Sequence, residues 1–410
     1  MAKRALILIE GSRVAGPLYV RAAQRLGLHP ITLATDPAQY AYLAAKGSEA
    51  IRVDTNDLEA LIRECARLRV TYDIVGITGF PNPGESVFVT IGKLCRHFDL
   101  PGPDPASIEH CCDKFVQRQL LAQAGVPMPA YRSAANAKEV EDAAAEIGLP
   151  VIVKPAVGNG SSGVRLCRTA DEVAKHAKHL LGGTYVWQSA PRILVEEFAE
   201  GSYYGANIMG IEVIAVGTGA FGPPPHFVFC EYLFPAQLTD DEHARIVNVS
   251  LSCLQALGLG WGPTNIEFRW TRRGPVVIEV NPRLAIGESE LVQLAFGIDL
   301  INEHIKLVIG DECDLRARHS RTAAAQFLVP DRDGILDRIE GTSLAAAVPG
   351  VVDVRFYVEP NTPILRKGDG NDMIGQVIAS STSPAQTKAI LQRAVDLISW
   401  PITPFPALDE

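Results

Sequence analysis

Three polar residues alternate with apolar ones in the short segment VIEVNPRL, Val277 to Leu284. In an extended strand, Glu279, Asn281 and Arg283 point to the same side. The solvated face of an edge strand would explain this pattern. A site that holds a metal ion and a charged substrate would explain it equally well, so the segment alone leaves both interpretations open.

A second acid favours the metal site. The segments TNIEFRW and PVVIEVN flank a polar turn that contains glycine, which predicts a β-hairpin. If the turn centres on Arg273, Glu267 lies opposite Glu279, where like charges are destabilising unless they are neutralised. Magnesium would neutralise them through carboxylate and phosphate oxygens, and Asn281 would add an amide oxygen. Arg283 could then hold an anionic group beside the metal.

A magnesium site with so few protein ligands needs phosphates nearby, and the segment KPAVGNGSSGV at 154–164 is a candidate cradle for them. Glycines let backbone N–H groups approach an anion, serines add hydroxyl donors, and Lys154 at a strand end adds positive charge. A plain hairpin turn would have a similar composition, and no Walker lysine follows. The residues of this candidate loop are Gly158, Gly160, Ser161, Ser162 and Gly163.

The apolar strand ILVEEF, which ends in two acids, is a candidate binding segment for a nucleotide base. Adenine could form backbone hydrogen bonds there, while Glu196 or Glu197 accepts a hydrogen bond from its amino group or from the ribose. Two adjacent acids are common on protein surfaces. The order of this segment among the other motifs therefore carries more information than the acids themselves.

The elements that position these residues begin with alternating strand and helix signals. Over the first third of the chain, this βαβ alternation predicts a parallel sheet covered by helices. No GxGxxG follows the first strand, which argues against a dinucleotide-binding dehydrogenase. The sequence pattern of 104–125 predicts a helix with Asp104 and Ser107 as capping residues. Strand-rich segments follow, and short strands and helices return from about residue 300.

Composition limits the class of protein. The chain has 410 residues, 47% hydrophobic and 21% charged, which is ordinary for a soluble protein of two or three domains. Its formal charge of −9 argues against a nucleic-acid partner, and the strand-sized apolar runs predict no membrane segment. The N-terminal run stops at Glu10, too early for a signal peptide, and predicts a first buried strand. Eight scattered cysteines without CxxC indicate reduced thiols in a cytoplasmic protein.

The order of the motifs resembles the ATP-grasp superfamily. A lysine opens a helix before AGVPMP, and VIVKP, the glycine-serine loop, LVEEF and finally IEF with IEVNPR follow. The resemblance covers nearly the whole chain. It implies an ATP-grasp fold of mixed α/β and α+β class, in three domains. These are an N-terminal parallel α/β domain at 1–113, an ATP-grasp domain at 114–305 with a lid at about 120–195, and a C-terminal α+β domain at 306–410.

The same resemblance implies roles for individual residues. Lys114 and Lys154 would contact the phosphates of ATP, and residues 158–163 would form a mobile lid loop. Arg283 would contact the transferred phosphoryl group or the substrate carboxylate, and with Lys154 it would add positive charge for catalysis. The adenine pocket would be formed by Glu196, Glu197 and Phe198. One or two magnesium ions, which manganese could replace, would be bound by Glu267, Glu279 and Asn281.

Within the superfamily, the segments at 278–301, 336–357 and 372–395 are similar to bacterial L-amino acid ligases, the dipeptide synthetases of the bacilysin type. The resemblance implies a small-molecule enzyme of natural product biosynthesis, without a nucleic-acid or membrane partner, and is compatible with a homodimer. It would activate a carboxylate as an acyl phosphate with ATP and join it to an amine. Glu85 and Glu231 could steer the amine, and Gly287 would adjoin the substrate.

Three departures from the family pattern concern the substrate. Many relatives carry a ribose-binding Glu at the position of Tyr203, and a His is expected where Tyr232 stands. After Arg283, the sequence at 284–287 is LAIG, which differs from the Gly-Gly or Gly-Trp of some members. These changes leave the ATP chemistry intact and put the identity of the substrate in doubt.

Two other functions compete with an amide-forming ligase. One is another ATP-grasp chemistry, such as carboxylation with bicarbonate or formate-dependent purine ligation. The other is a protein that binds ATP without turnover. The presence of Glu267, Glu279, Asn281 and Arg283 argues against loss of turnover.

Overall fold

The computed structural model describes residues 2–44, 48–81, 84–183 and 192–406. Part of the predicted lid range, 184–191, lies outside the described residues. The last four residues of the predicted C-terminal domain, 407–410, also lie outside them.

The N-terminal region is the parallel α/β unit that the alternating pattern predicts. The sheet has the order β3-β2-β1-β4, and neighbouring strands run parallel. Strand β1 is buried on both faces, as expected for a parallel strand between layers. The elements are β1 (Lys3–Ile9), α1 (Ala15–Arg25), β2 (His29–Ala34), β3 (Glu49–Arg52), α2 (Leu58–Leu68), β4 (Tyr72–Gly79) and α3 (Ser86–His97).

The segment predicted as one helix over 104–125 forms two, α4 (Pro105–Cys112) and α5 (Lys114–Gln123). Asp104 caps the first helix by accepting a hydrogen bond from the backbone N–H of Ser107 at 3.0 Å. Asp113 is extended and caps the second helix by accepting two backbone N–H groups of its first turn. Because the chain breaks at Asp113, Lys114 becomes the first residue of α5.

A four-stranded antiparallel sheet with the order β5-β8-β6-β7 follows, which we call the lid sheet. Val151, Val153 and Val195 on one face pack into a core with the two helices of this region. Strand alternation places Lys154 and Glu196 on the opposite face. The elements are β5 (Tyr131–Ala134), α6 (Ala137–Ile147), β6 (Val151–Pro155), β7 (Arg165–Cys167), α7 (Ala170–Gly182) and β8 (Ile193–Glu197).

The largest sheet has eight antiparallel strands in the order β13-β12-β9-β10-β11-β14-β18-β16, and we call it the large sheet. It combines strands from both sides of the predicted boundary at 305–306, so the domain limits stay a prediction. The elements up to that boundary begin with β9 (Ser202–Met209), β10 (Glu212–Phe221), β11 (Phe229–Phe234) and α8 (Asp240–Leu257). They continue with β12 (Pro263–Thr271), β13 (Gly274–Asn281), α9 (Ile286–Phe296) and α10 (Leu300–Val308).

The C-terminal region completes the large sheet and adds a three-stranded sheet of order β17-β15-β19. Its elements are β14 (Thr322–Leu328), β15 (Gly334–Leu336), α11 (Thr342–Ala346), β16 (Val351–Phe356), β17 (Pro363–Ile364), β18 (Gly375–Ser381), α12 (Pro384–Val395) and β19 (Ile402–Thr403). In the described part of the chain, no helix combines the length and apolar character needed to cross a bilayer.

Strand β13, which carries the opening segment, is an edge strand of the large sheet, but its edge is covered. The side chain of Gln117 on α5 donates to the carbonyl of Val280 at 2.8 Å and accepts from its N–H at 2.9 Å. The N–H of Val277 donates to the carbonyl of Pro127 at 2.9 Å. These bonds satisfy backbone groups that an open edge would leave to solvent.

Candidate active site

Glu267 and Glu279 lie opposite each other in the β12–β13 hairpin, as the sequence predicts. The reason differs from the one expected, because the turn is not centred on Arg273. Thr271 pairs with Gly274 across a two-residue turn, and a bulge at Ile278 then shifts the register by one residue. The bulge therefore brings the two carboxylates face to face.

The two acids differ in their charge environment. Burial raises the pKa of Glu267 to about 7, and the nearby carboxylates Glu279 and Glu288 add to this effect. Burial also acts on Glu279, but Lys114, 2.9 Å from Glu279 Oε1, outweighs it and keeps the pKa of Glu279 below its ordinary value. Asn281 Nδ2 donates to Glu267 Oε1 at 3.3 Å.

The acids and Asn281 suit a hard divalent cation. They supply oxygen ligands, and the raised pKa of Glu267 shows that its negative charge is poorly matched by the protein alone. Among the residues that the structure describes, no three His, Cys, Asp or Glu side chains are grouped closely enough to hold a metal. A magnesium ion here would therefore depend on two acids, an amide and oxygens from a substrate such as ATP.

Lys114 links this pair to the glycine-rich loop. It opens α5, is almost fully buried, and also donates from Nζ to the carbonyl of Gly158. One ammonium group thus contacts both a candidate metal ligand and the candidate phosphate cradle. The break between α4 and α5 is what points this side chain into the site.

Lys154 and Glu196 form a buried ion pair with Arg118. Lys154 Nζ lies 2.7 Å from Glu196 Oε2, and Arg118 Nε lies 2.7 Å from Glu196 Oε1. Burial alone would raise the pKa of Glu196, but the two cations lower it to about 2. Both carboxylate oxygens are paired with these cations, so Glu196 holds Lys154 in place, and its contact with adenine or ribose stays a prediction.

Glu197 and Phe198 follow at the end of β8. Glu197 Oε2 lies 2.8 Å from Arg273 and accepts from the N–H of Ala130 at 3.1 Å. The Phe198 and Phe227 rings are 6.4 Å apart, and both line the same cavity. An apolar slot of this kind suits a flat base, with Phe198 as the better-placed residue of the predicted adenine segment.

The glycine-rich loop has the backbone that a phosphate cradle requires. Gly158, Gly160 and Ser161 have positive φ values of 136°, 62° and 63°. The carbonyl of Gly160 accepts a hydrogen bond from the N–H of Gly370 at 2.9 Å, so the loop touches the C-terminal region. Gly163 lies at the base of the loop, where its carbonyl accepts from His176 Nε2 at 2.8 Å.

A cavity of about 810 Å³ lies between the lid sheet and the large sheet, and we call it the main cavity. It brings together most of the residues that the sequence predicts. Its predicted lining residues are Lys114, Lys154, Gly158, Gly160, Ser161, Ser162, Glu196, Glu197, Phe198, Glu267, Glu279, Asn281, Arg283 and Gly287.

Arg283 lies where the main cavity meets a second cavity of about 610 Å³, on the side of the N-terminal sheet. Its Nε is 2.9 Å from Glu85 Oε1, and this ion pair helps to hold the pKa of Arg283 above its ordinary value despite burial. Glu85 thus contacts Arg283 instead of lining either cavity. The opening segment is therefore not a solvated strand face.

Glu231 lies elsewhere. Its Oε1 is 3.0 Å from Lys388 Nζ of α12, and it does not line the main cavity. The adjacent Tyr232, on the opposite face of β11, lines that cavity instead. Glu231 therefore lies away from the main cavity, where Tyr232 is better placed, and its contact with a substrate stays a prediction.

Three residues of the main-cavity wall, and Arg118, were not predicted as site residues. Tyr203 and Tyr232 were noted only as departures, yet both line the cavity beside Phe229, Tyr203 buried and Tyr232 half-buried. Arg118 contacts Glu196 and lies one helical turn after Lys114, a spacing that could have indicated it. Glu288 carried a weaker signal, as an acid in the first turn of the helix after the strand that carries Glu279.

Two family models match the chain. One describes an ATP-grasp domain and matches residues 147–290, and the other describes the L-amino acid ligase C-terminal domain 2 and matches 326–402. The uncharacterized protein y4rH of Sinorhizobium fredii is 58% identical over 409 residues, which cover 100% of this chain and 85% of that protein.

Two further comparisons are more distant. Human carnosine synthase 1 is 24% identical over 339 residues, covering 76% of this chain but only 40% of the synthase. The crystal structure of an L-amino acid ligase from Bacillus licheniformis superposes with a TM-score of 0.82 at 20% identity, covering 98% of this chain and 100% of that one. At this identity the superposition shows the fold alone.

The parallel N-terminal sheet, the lid sheet over the large sheet, and the cavity between them form the fold that this chain shares with that L-amino acid ligase structure. The chain belongs to the ATP-grasp superfamily, among its carboxylate–amine ligases. Enzymes of this superfamily generally use ATP and magnesium.

Proposed function

We propose that this enzyme joins the carboxylate of an L-amino acid to the amine of a second amino acid, giving a dipeptide or a related amide, ADP and phosphate. The observation that carries the proposal is the position of Arg283, beside the paired acids at the junction of two cavities. The two cavities share Arg283 and Arg13 in their linings, and together they offer room for two substrates beside ATP. The similarity to L-amino acid ligases and carnosine synthase supports amino acids as those substrates.

In the first step, a carboxylate oxygen attacks the γ-phosphorus of ATP and ADP leaves, which gives an acyl phosphate. Lys114 and Lys154 would place positive charge at the phosphates, and Arg283 would orient the carboxylate or the transferred phosphoryl group. Glu267, Glu279 and Asn281 would hold magnesium, which when bound supplies charge neutralisation at the phosphates. Phe198 would contact the adenine.

In the second step, the amine nitrogen attacks the acyl carbon, loses a proton, and phosphate leaves. The acyl phosphate must be kept from water until then. Closure of the loop at 158–163 over the main cavity would exclude water. Glu85 would act as a positioning residue by fixing Arg283, and Tyr232 would contact a substrate in place of Glu231.

We also propose a cellular compartment, an assembly and a domain division for this enzyme. The eight cysteines are free thiols, in keeping with a reducing cytoplasm, and a homodimer is the proposed assembly. The three-domain division at 113/114 and 305/306, replacement of magnesium by manganese and a role in natural product biosynthesis belong to the same proposal.

A screen of ADP release over pairs of amino acids, with mass spectrometry of the products, tests the function. We expect ADP release that depends on both partners and a product heavier than the donor by one amine substrate less water. ADP release that requires bicarbonate or formate, with no amide product, would instead assign another ATP-grasp chemistry.

A further inference from the structure

Glu288 is a buried acid on the wall of the main cavity. It lies in the first turn of α9, its residue is only 2% exposed, and it contributes to the cavity lining. Within the described residues it forms no ion pair, unlike the cavity acids Glu196 and Glu279. A buried carboxylate without a cationic partner is costly to keep charged, and a cationic ligand would offset that cost.

The carboxylate is nevertheless held in place. Asn207 Nδ2 donates to Glu288 Oε2 at 2.6 Å, and Asn265 Nδ2 lies 3.4 Å from the same oxygen. Oε1 lies over Gly205, where a Cβ would come within 3.3 Å of it, and no described residue donates to it. The amide oxygen of Asn207 is buried and also lacks a donor.

Glu288 Oε1 and the amide oxygen of Asn207 can thus each accept a hydrogen bond from a ligand. The negative charge of Glu288 has no ion-pair partner among the described residues. Gly205 pairs with Glu267 in the large sheet, so Glu288 Oε1 lies above the neighbouring strand. An ammonium group, with one positive charge and three donors, fits this place.

Arg283 indicates that the ligand also carries a negative charge. This residue lies five positions before Glu288 and lines the same cavity. Its Nε donates to Glu85 and its Nη1 lies 3.5 Å from the carbonyl of Leu284, which leaves the Nη2 N–H groups to bind a carboxylate. A cation and an uncompensated anion on one wall match a zwitterion, the form of a free amino acid at neutral pH.

We propose that Glu288 binds the ammonium group of the amino acid whose carboxylate is activated, while Arg283 holds that carboxylate. This inference rests on the proposed function and adds which side chain recognises the amino group of the carboxylate donor. Glu288 is thus a specificity-determining residue for the donor.

Hydroxamate formation tests this assignment, because hydroxylamine replaces the amine substrate and reports activation of the donor alone. Each amino acid is compared with the acid of the same skeleton without the amino group, for example L-alanine with propanoate and L-leucine with 4-methylpentanoate. Glu288→Gln should lower kcat/KM for the amino acids by about 10- to 100-fold, the scale of one hydrogen bond to a charged group. The values for the desamino acids should change by less than about threefold.

Glu290→Gln is the matched control, since it removes a carboxylate from the same helix and cavity but one paired with Arg355. It should leave the ratio of amino to desamino activity unchanged. Equal losses with both donors in Glu288→Gln, or a raised magnesium requirement with both, would overturn the assignment. Normal hydroxamate formation with loss of amide formation would place the attacking amine at Glu288 and would overturn it too.

The wild-type enzyme separates the two proposals. Amide formation from donors that lack an amino group, as efficient as from amino acids, would overturn the role of Glu288 while leaving the ligase function standing. Absence of hydroxamate with every carboxylate would contradict the ligase function, and the assignment of Glu288 would fall with it.

Discussion

At the scale of residues, the cavity is built from charged side chains that position one another. Arg283 is fixed by Glu85, while Lys154 shares Glu196 with Arg118. In each ion pair, some N–H groups of the cation bind the acid, and this contact orients the remaining N–H groups. This explains why acids that look available for ligand binding in the sequence contact protein cations instead.

Arg283→Lys should lower ligation activity by about 10²-fold or more, the scale for one oriented electrostatic contact in a transition state. Lysine keeps the charge but loses the planar fork that can contact Glu85 and a ligand oxygen together. ATP affinity should change far less, because Lys114, Lys154 and the loop backbone remain. Steady-state kinetics and nucleotide binding measure both quantities.

Arg272→Lys, an exposed position in the β12–β13 turn, is the control for this substitution and should behave like the wild type. A loss of ATP binding as large as the loss of ligation would instead place Arg283 among the nucleotide ligands. Full activity of Arg283→Lys would show that Arg283 takes no part in the reaction.

Glu196→Gln should lower the free energy of unfolding by about 3–5 kcal/mol, because Arg118 and Lys154 would remain buried without an acid. The pKa of Glu196 is about 2 in the folded chain against an ordinary 4.5. A lowered pKa gives stability that is present above about pH 4.5 and is lost as the pH falls toward 2. Urea unfolding from pH 7 to pH 3 should therefore show a shallower decline in the variant.

The exposed pair of Arg132 and Glu146 provides the comparison. Glu146→Gln should change stability little, since exposed ion pairs contribute little. If Glu196→Gln were as stable as Glu146→Gln at pH 7, the buried pairing of Glu196 would not hold the lid sheet to α5.

Sequence reasoning found residues whose positions follow from strand alternation, and it missed those set by packing between distant segments. The hairpin that carries Glu267 and Glu279 was predictable, although the bulge at Ile278 that sets them opposite each other was not. Glu288 and Asn207 are 81 positions apart, and only the packing of α9 on the large sheet brings them together. The pairing of Glu196 with two buried cations could not be read from a strand motif, and its contact with adenine or ribose stays a prediction.

At the scale of elements, the glycine-rich loop is the part best placed to move. It joins β6 to β7 and contacts the C-terminal region through one backbone hydrogen bond, from Gly370 to Gly160. The hairpin form was predictable from the glycines and serines. The contact with Gly370 was not, because it joins segments more than 200 residues apart.

Deleting residues 160–162 should raise the apparent KM for ATP and uncouple hydrolysis from ligation, because an open lid admits water to the acyl phosphate. The ratio of ADP released to amide formed measures the coupling. Deleting Ile211, which is 69% exposed in the β9–β10 turn, gives a control of similar kind in another hairpin. Unchanged KM and coupling in the loop deletion would identify residues 160–162 as a plain turn.

At the scale of the whole molecule, the site exists only because three sheets converge. The lid sheet provides Lys154, the large sheet provides the paired acids, and the end of the N-terminal sheet borders the second cavity at Arg283. The order of motifs along the chain predicted this fold. The cavities could not be predicted, since their shapes depend on how the sheets pack, and substrate identity depends on those shapes.

Transfer of a carboxylate oxygen to phosphate is the most direct test of an acyl phosphate. The donor amino acid is labelled with ¹⁸O in its carboxylate, and the phosphate released during amide formation is examined by mass spectrometry. An acyl-phosphate mechanism predicts one ¹⁸O atom in the phosphate for each amide formed, because the bond between the acyl carbon and that oxygen breaks when the amine attacks. Amide formation with unlabelled phosphate would contradict an acyl-phosphate mechanism.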